Sequence, residues 1–192
     1  MAIFKVVGGF FMDIIETAVA SLSIFLVVYL FLMQPHQVNG NSMYPSFEDK
    51  EYLMTDKISY RMGEPVRGDV VVFHAPAGAH CPTGTGCDFI KRVIGLPGDI
   101  VEVTNGKYYI NNKELPEAYL PEEFVTYSGS FTGGGPVVVP PNEYFVSGDN
   151  RSHSSDSRAF GFVPKGNIVG KVFFRYWPPG RVGTLPKVTY SF

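Results

Sequence analysis

The chain has 192 residues, 45% hydrophobic and 15% aromatic, with a formal charge of −2. So apolar a composition excludes an intrinsically disordered chain, and so even a charge balance, kept beyond residue 34, gives no electrostatic reason to expect a nucleic acid partner. Its 21 Gly and 15 Pro, set among many Val, Tyr and Phe, point to short strands joined by frequent turns.

The first element is an apolar run. Residues 17–33 (TAVASLSIFLVVYLFLM) carry no charge, and Ile14 and Ile15 extend them past a lone Glu16. At about 1.5 Å per helical residue the run is just long enough to cross a hydrocarbon core of roughly 30 Å. We read 13–34 as one transmembrane anchor, 1–12 as a short lead, and 35–192 as a single β-rich domain. A cleavable signal peptide is the weaker reading, because the run lacks a compact positive region and a small-x-small end and passes into Pro35-His36-Gln37. Lys5 and the α-amino group precede the run and the next basic residue is Lys50. The N-terminus is therefore expected in the cytoplasm, with the domain on the extracytoplasmic face of the cell membrane.

Beyond the anchor, residues 37–40 read as an extended piece, and 52–55 and 58–60 as strand segments. Residues 70–73 (VVVF), apolar on both faces, form a core strand. In the loop 75–88, Cys81 and Cys87 enclose Pro-Thr-Gly-Thr-Gly and suit a disulfide outside the cytoplasm. Free thiols, or zinc with His74 and His80, are the rival readings, although the gap is wide for a zinc knuckle. Residues 89–94 form the next strand. Residues 99–103 and 107–110 make a hairpin about Asn105-Gly106, which tolerates the positive φ of a tight turn. Residues 116–135 are a surface excursion with Gly133-Gly134-Gly135 as its most flexible point. Residues 144–146 and 168–176 are late strands, and the tail 178–192 has little periodicity.

Alternation in the strand 89–94 places Phe89, Lys91 and Val93 on one face. A lysine between two apolar neighbours is partly desolvated, which favours its neutral form. A neutral amine can take the proton of a serine hydroxyl, so Lys91 as general base and Ser42 as nucleophile make a serine–lysine pair that needs no histidine, metal or cofactor. Alone, a serine before Met-Tyr-Pro is ordinarily a turn residue and a strand lysine ordinarily a surface one. The run 148–158, GDNRSHSSDSR, is too dense in side-chain donors and acceptors to be filler.

Four pieces in order resemble bacterial type I signal peptidases: Asn41-Ser42-Met43-Tyr44-Pro45, Arg67-Gly68-Asp69-Val70-Val71-Val72-Phe73, residues 91–99 (KRVIGLPGD), and residues 148–164. The resemblance implies a mostly β, signal-peptidase-like antiparallel catalytic domain behind one N-terminal transmembrane helix. It implies that Ser42 attacks the scissile carbonyl, that Lys91 takes and returns the proton, and that Ser154 orients the lysine amine. Asp156 and Arg158 would be a buried pair, and Asp149, Asn150 and Arg151 structural support. His153 falls at a variable, exposed position. For the oxyanion, the Ser42 backbone N–H is one donor. Some relatives supply a hydroxyl two residues earlier, where this chain has Gly40, so the second donor stays open between a backbone amide, a water and the Asn41 side chain.

By the same resemblance the substrates are signal peptides of secretory preproteins, cut after small-x-small (Ala-x-Ala) sequences and bound as an added β-strand. Gln37, Val38 and Phe89 would line the side-chain pockets. Met43, Tyr44 and Trp177 would be exposed apolar residues dipping into the phospholipid bilayer, and the protein would act as a compact monomer. The rivals are a serine–lysine protease dedicated to one precursor, and an inactive membrane-tethered scaffold that binds signal peptides. Retention of both Ser42 and Lys91 argues against the scaffold.

Overall fold

The computed structural model describes residues 2–81 and 88–190. Helix α1 (Ala2–Val27) runs through the lead as well as the apolar stretch and ends in a π turn, Val28–Leu32. Its segment Gly8–Leu32 contains a stretch of mean hydropathy 2.2 and has no buried residue; among the described residues it alone is long and apolar enough to cross a membrane. The hydroxyls of Thr17, Ser21 and Ser23 donate to carbonyls one turn earlier, so the helix satisfies its own polar groups, as lipid would require. Met33 and Gln34, at the end of the anchor expected from sequence, already belong to the first strand.

That strand, β1 (Met33–Gln37), pairs with β2 (Tyr52–Asp56), and the short helix α2 (Ser59–Met62) follows. Residues 58–60 are therefore not a strand. The Asp56 carboxylate accepts from the N–H groups of Ile58 and Ser59 and bends the chain into a helical turn, an effect of a short acceptor side chain that overrides the β-branched Ile58.

Strands β3 (Val70–His74) and β4 (Asp88–Gly95) are the centre of the main sheet. Next come β5 (Ile100–Thr104), β6 (Lys107–Ile110), β7 (Lys113–Glu114), β8 (Val137–Val138) and β9 (Glu143–Ser147). Helix α3 (Ser157–Phe160), β10 (Val163–Pro164), β11 (Ile168–Trp177) and β12 (Gly183–Thr184) close the chain. The main sheet has the order β1-β2-β11-β3-β4-β9-β10, with β12 beside β11, and the second has the order β7-β6-β5-β8; every pairing is antiparallel. The hairpin between β5 and β6 turns at Asn105 and Gly106, both at positive φ.

Alternation along β3 divides the core. Val70 and Val72 pack with Val38, Met43, Phe47 and Leu53, whereas Val71 and Phe73 pack with Val93, Tyr144 and Val146. A third cluster, with Ile94, Val101, Tyr108 and Phe145, lies under the second sheet. Nothing in the excursion 116–135 is strand or helix, yet it is held down: Thr126 and Thr132 are buried, and the Phe131 ring meets Phe162 edge-on at 5.1 Å.

Candidate active site

The nucleophile candidate sits on a turn fixed at four points. Beyond β1 the chain stays paired through Val38, whose N–H donates to the Glu51 carbonyl at 2.8 Å. Gly40, at a φ of 87°, donates to Asp49 Oδ1 at 2.7 Å. Met43 and Phe47, each 1% exposed, then plug the turn into the core. The fourth point comes from the far end of the sequence: the Asn150 N–H donates to the Ser42 carbonyl at 3.0 Å and its side-chain Nδ2 to the Asn41 carbonyl at 3.1 Å. Ser42 is thereby held by its own backbone, leaving its hydroxyl and its N–H free of structural duty. No group among the described residues accepts from that N–H.

Lys91 reaches the turn from β4, where it stands opposite Val71. Its Nζ lies 2.7 Å from Ser42 Oγ and donates to the Ile90 carbonyl at 3.0 Å, with the Phe89 ring centroid 5.3 Å away. The residue is 4% exposed. Burial is the main reason its amine is pulled down from 10.5 to about 8; Arg158 adds to the effect, while the charges of Asp156 and Asp149 oppose it.

The run 148–158 supports both. Asp149, fully buried, takes Arg92 through two parallel hydrogen bonds, Nε to Oδ1 at 2.9 Å and Nη2 to Oδ2 at 2.6 Å. The same guanidinium donates to the Gly68 carbonyl and to Ser46 Oγ and lies 4.2 Å over the Tyr119 ring, so it joins β4 to the nucleophile turn. Asp156 accepts from Arg158 through both oxygens and from the Gly148 N–H. Burial works to raise that carboxyl, but Arg158 and the Gly148 N–H hold it below its ordinary value. Arg151 forks onto Glu117 and donates to Thr126 Oγ1 at 2.9 Å, clamping the excursion to the site.

Ser154 lies against Gly148, where an added Cβ would collide with both the Ser154 hydroxyl and the Ser42 carbonyl. The Ser154 hydroxyl is buried near Asp156 and has no hydrogen bond of normal geometry; the second partner of Lys91 is the Ile90 carbonyl instead. Asn41 keeps its side chain exposed and uses its carbonyl structurally. His153 is exposed and remote from the pair's contacts.

A cavity of about 480 Å³ opens over Ser42 and Lys91, lined by His36, Gln37, Val38, Val72, Phe89 and Ile90 among others. The three pocket residues expected from sequence thus line one cavity together with Ser42 and Lys91. One expectation is corrected: Met43 is core, not a lipid-facing residue, because it is the plug that fixes Ser42. Tyr44 and Trp177 are exposed at 46% and 51%. Cys81 is in a disulfide, and its expected partner Cys87 lies outside the described residues. His74 is engaged with Asp88 at 2.6 Å.

Sequence reasoning missed Arg92, Ser46, Gly148, Glu117 and the Ile90 carbonyl. Arg92 had one signal, its place next to Lys91 on the opposite face of a strand that is otherwise apolar. Glu117 had none, since a lone carboxylate in a loop looks like any solvated charge.

A desolvated amine seated on a serine hydroxyl at the floor of an open groove is the equipment of a serine hydrolase. Comparison with known proteins narrows the class: residues 11–177 match the family "Signal peptidase, peptidase S26". A probable signal peptidase I-2 of Synechocystis sp. is 39% identical over 172 residues, covering 88% of this chain and 75% of that protein. Signal peptidase IB of Staphylococcus aureus is 40% identical over 177 residues, covering 86% and 88%. A solved signal peptidase I from Enterococcus faecalis V583 aligns with a TM-score of 0.46 at 35% identity, over 57% of this chain and 97% of that one. The chain belongs to the signal peptidase family, peptidase S26, and is a serine endopeptidase.

Proposed function

We propose that this protein is a membrane-anchored signal peptidase I that removes signal peptides from secretory preproteins after small-x-small sites, with Ser42 as nucleophile and Lys91 as general base. The observation that carries the reading is the 2.7 Å contact between Ser42 Oγ and a buried lysine amine. In the neutral form Lys91 donates to the Ile90 carbonyl and turns its lone pair to the Ser42 hydroxyl, which donates to it. Ser42 Oγ attacks the scissile carbonyl as its proton passes to Nζ, and the ammonium then protonates the leaving amine. A water deprotonated by the same amine hydrolyses the acyl-enzyme.

The unengaged Ser42 N–H is the first oxyanion donor, and the exposed Asn41 amide is a candidate for the second. Once Ser42 is acylated its hydroxyl no longer partners the lysine, and the spare Ser154 hydroxyl beside Gly148 is the group that steadies the amine. Among the described residues strand β1 ends the sheet and pairs on one side only, so its outer edge can take an extended peptide by backbone hydrogen bonds. Gln37, Val38 and Phe89 then meet the small side chains. In this reading α1 crosses the cytoplasmic membrane once, the domain works as a monomer on the extracytoplasmic face, and Tyr44 and Trp177 rest on lipid.

The test is to incubate full-length protein in detergent with a preprotein bearing an Ala-x-Ala site and weigh the products. Cleavage after the second alanine by wild type, and by neither Ser42→Ala nor Lys91→Met, is the expected result. A folded wild type that leaves the preprotein whole would remove general signal peptidase activity and favour a single dedicated precursor.

A further inference from the structure

A second cavity lies where α1 meets the domain. It has a volume of about 470 Å³ and is lined by Lys57, Tyr60, Arg61, Asn142, Lys165 and Gly166, with Ile168 and Val169. Its lining thus holds three cations and, among the described residues, no carboxylate. Like charges gathered around an open hollow repel one another unless an anion shares them.

The depth of the hollow is fixed by its contacts. The Lys57 N–H donates to the carbonyl of Leu32, the last residue of the π turn, at 2.9 Å, and Lys57 Nζ donates to Gln34 Oε1 at 3.3 Å. The Arg61 guanidinium stands 5.7 Å over the ring of Phe31, itself within the apolar span. Beside it Met62, the last residue of the short helix α2, is 83% exposed, an apolar side chain turned outward. Cations and an outward methionine at this level match the boundary between acyl chains and headgroups.

The surrounding carboxylates are occupied. Asp56 caps the turn before α2, Asp69 holds Lys171 at 2.6 Å and accepts from Tyr60, and Glu64 pairs with Lys165 from the exposed side. Among the described residues Lys57 and Arg61 have no carboxylate partner; their contacts are the neutral Gln34 amide and the Phe31 ring.

We propose that this cavity binds the phosphate of an anionic phospholipid from the leaflet in which α1 ends. The inference rests on the reading that α1 spans the membrane. The bound headgroup would fix the tilt of β1 against the bilayer, and β1 is the strand that leads to Ser42, so the lipid would set the height at which the cleft meets its substrate.

The experiment titrates full-length protein in neutral detergent with short-chain phosphatidylglycerol, short-chain phosphatidylcholine and inorganic phosphate, and reads bound lipid by native mass spectrometry. It compares wild type with the double variant Lys57→Gln/Arg61→Gln, whose positions lie outside the cleavage machinery and whose preprotein cleavage in that detergent should match wild type. At on the order of a fivefold gain per membrane-surface cation, the variant should bind phosphatidylglycerol about 25-fold more weakly. Phosphatidylcholine should bind neither protein. Equal affinity in wild type and variant, equal binding of the two lipids, or displacement of the lipid by an equal concentration of inorganic phosphate would each overturn the proposal. Flotation of both proteins with phosphatidylcholine vesicles reports on the anchor alone, so a failure there counts against the spanning helix and leaves the titration to decide the cavity.

Discussion

Lys91 has to be buried to act as a base, and burial of an ammonium group opposes folding. With its amine pulled from 10.5 to about 8, roughly one molecule in ten carries the neutral form at pH 7. The sign of the stability effect follows from proton binding. Between pH 8 and 10.5 the unfolded chain holds a proton that the folded chain has released, so stability rises with pH across that window, and below pH 8 the whole penalty applies. It amounts to on the order of 3 kcal/mol at about 1.4 kcal/mol per unit. Lys91→Met should therefore be inactive and about 3 kcal/mol more stable than wild type at pH 7, and its stability should no longer climb between pH 8 and 10.5. Urea unfolding at three pH values checks this, and an inactive variant no more stable than wild type would count against the burial account. Gly148 is the second residue whose role is set by a single atom. In Gly148→Ala the new methyl group displaces the Ser42 carbonyl or the Ser154 hydroxyl, and a shift of about 1 Å at a nucleophile costs on the order of a hundredfold in rate. We expect that loss in kcat with substrate binding little changed, read by single-turnover cleavage.

At the scale of elements, the run 148–158 is a hub through which distant parts of the chain are tied to β4 and the nucleophile turn. Asn150 holds Ser42, Asp149 holds Arg92, Asp156 holds Arg158 and Arg151 holds Glu117. Removing one partner of the buried Asp149–Arg92 pair strands a guanidinium in the core. Asp149→Ala should lower unfolding free energy by about 3–5 kcal/mol, measured by denaturant titration, and a loss under about 1 kcal/mol would mean that water reaches Arg92. This level was only half legible in the sequence. The density of donors and acceptors in 148–158 marked the run, and Ser42 and Lys91 were marked by their motifs, but the partners were not. Arg92 and Glu117 lie 57 and 34 positions from theirs, and no local pattern encodes a pairing at that separation. The turn at 58–60 failed for the opposite reason, since one Asp56 side chain outweighed three residues of strand propensity.

At the scale of the whole molecule, one continuous path joins the apolar helix to Ser42: the helix passes through its π turn into β1, and β1 runs straight to the turn that carries Ser42. Hydrophobic length and strand alternation made the long apolar helix and the central strands readable in advance. The sheet order was not, because β11 inserts between β2 and β3 from about a hundred residues away, and the short strands β7, β8, β10 and β12 are too brief to have a period. Met43 shows the same limit, since an apolar residue beside a serine reads equally as lipid contact or as core plug. On the proposed mechanism the assembled molecule must let one amine lose its proton easily beside one serine in an open cleft. The pH dependence of kcat/KM for preprotein cleavage by the full-length enzyme tests that most directly. The rate should rise about tenfold per pH unit up to a break near 8 and then level off. His36 lines the same cleft, and its burial holds it below 6.5; a break at or below 6.5 that moved in His36→Gln would contradict Lys91 as the base.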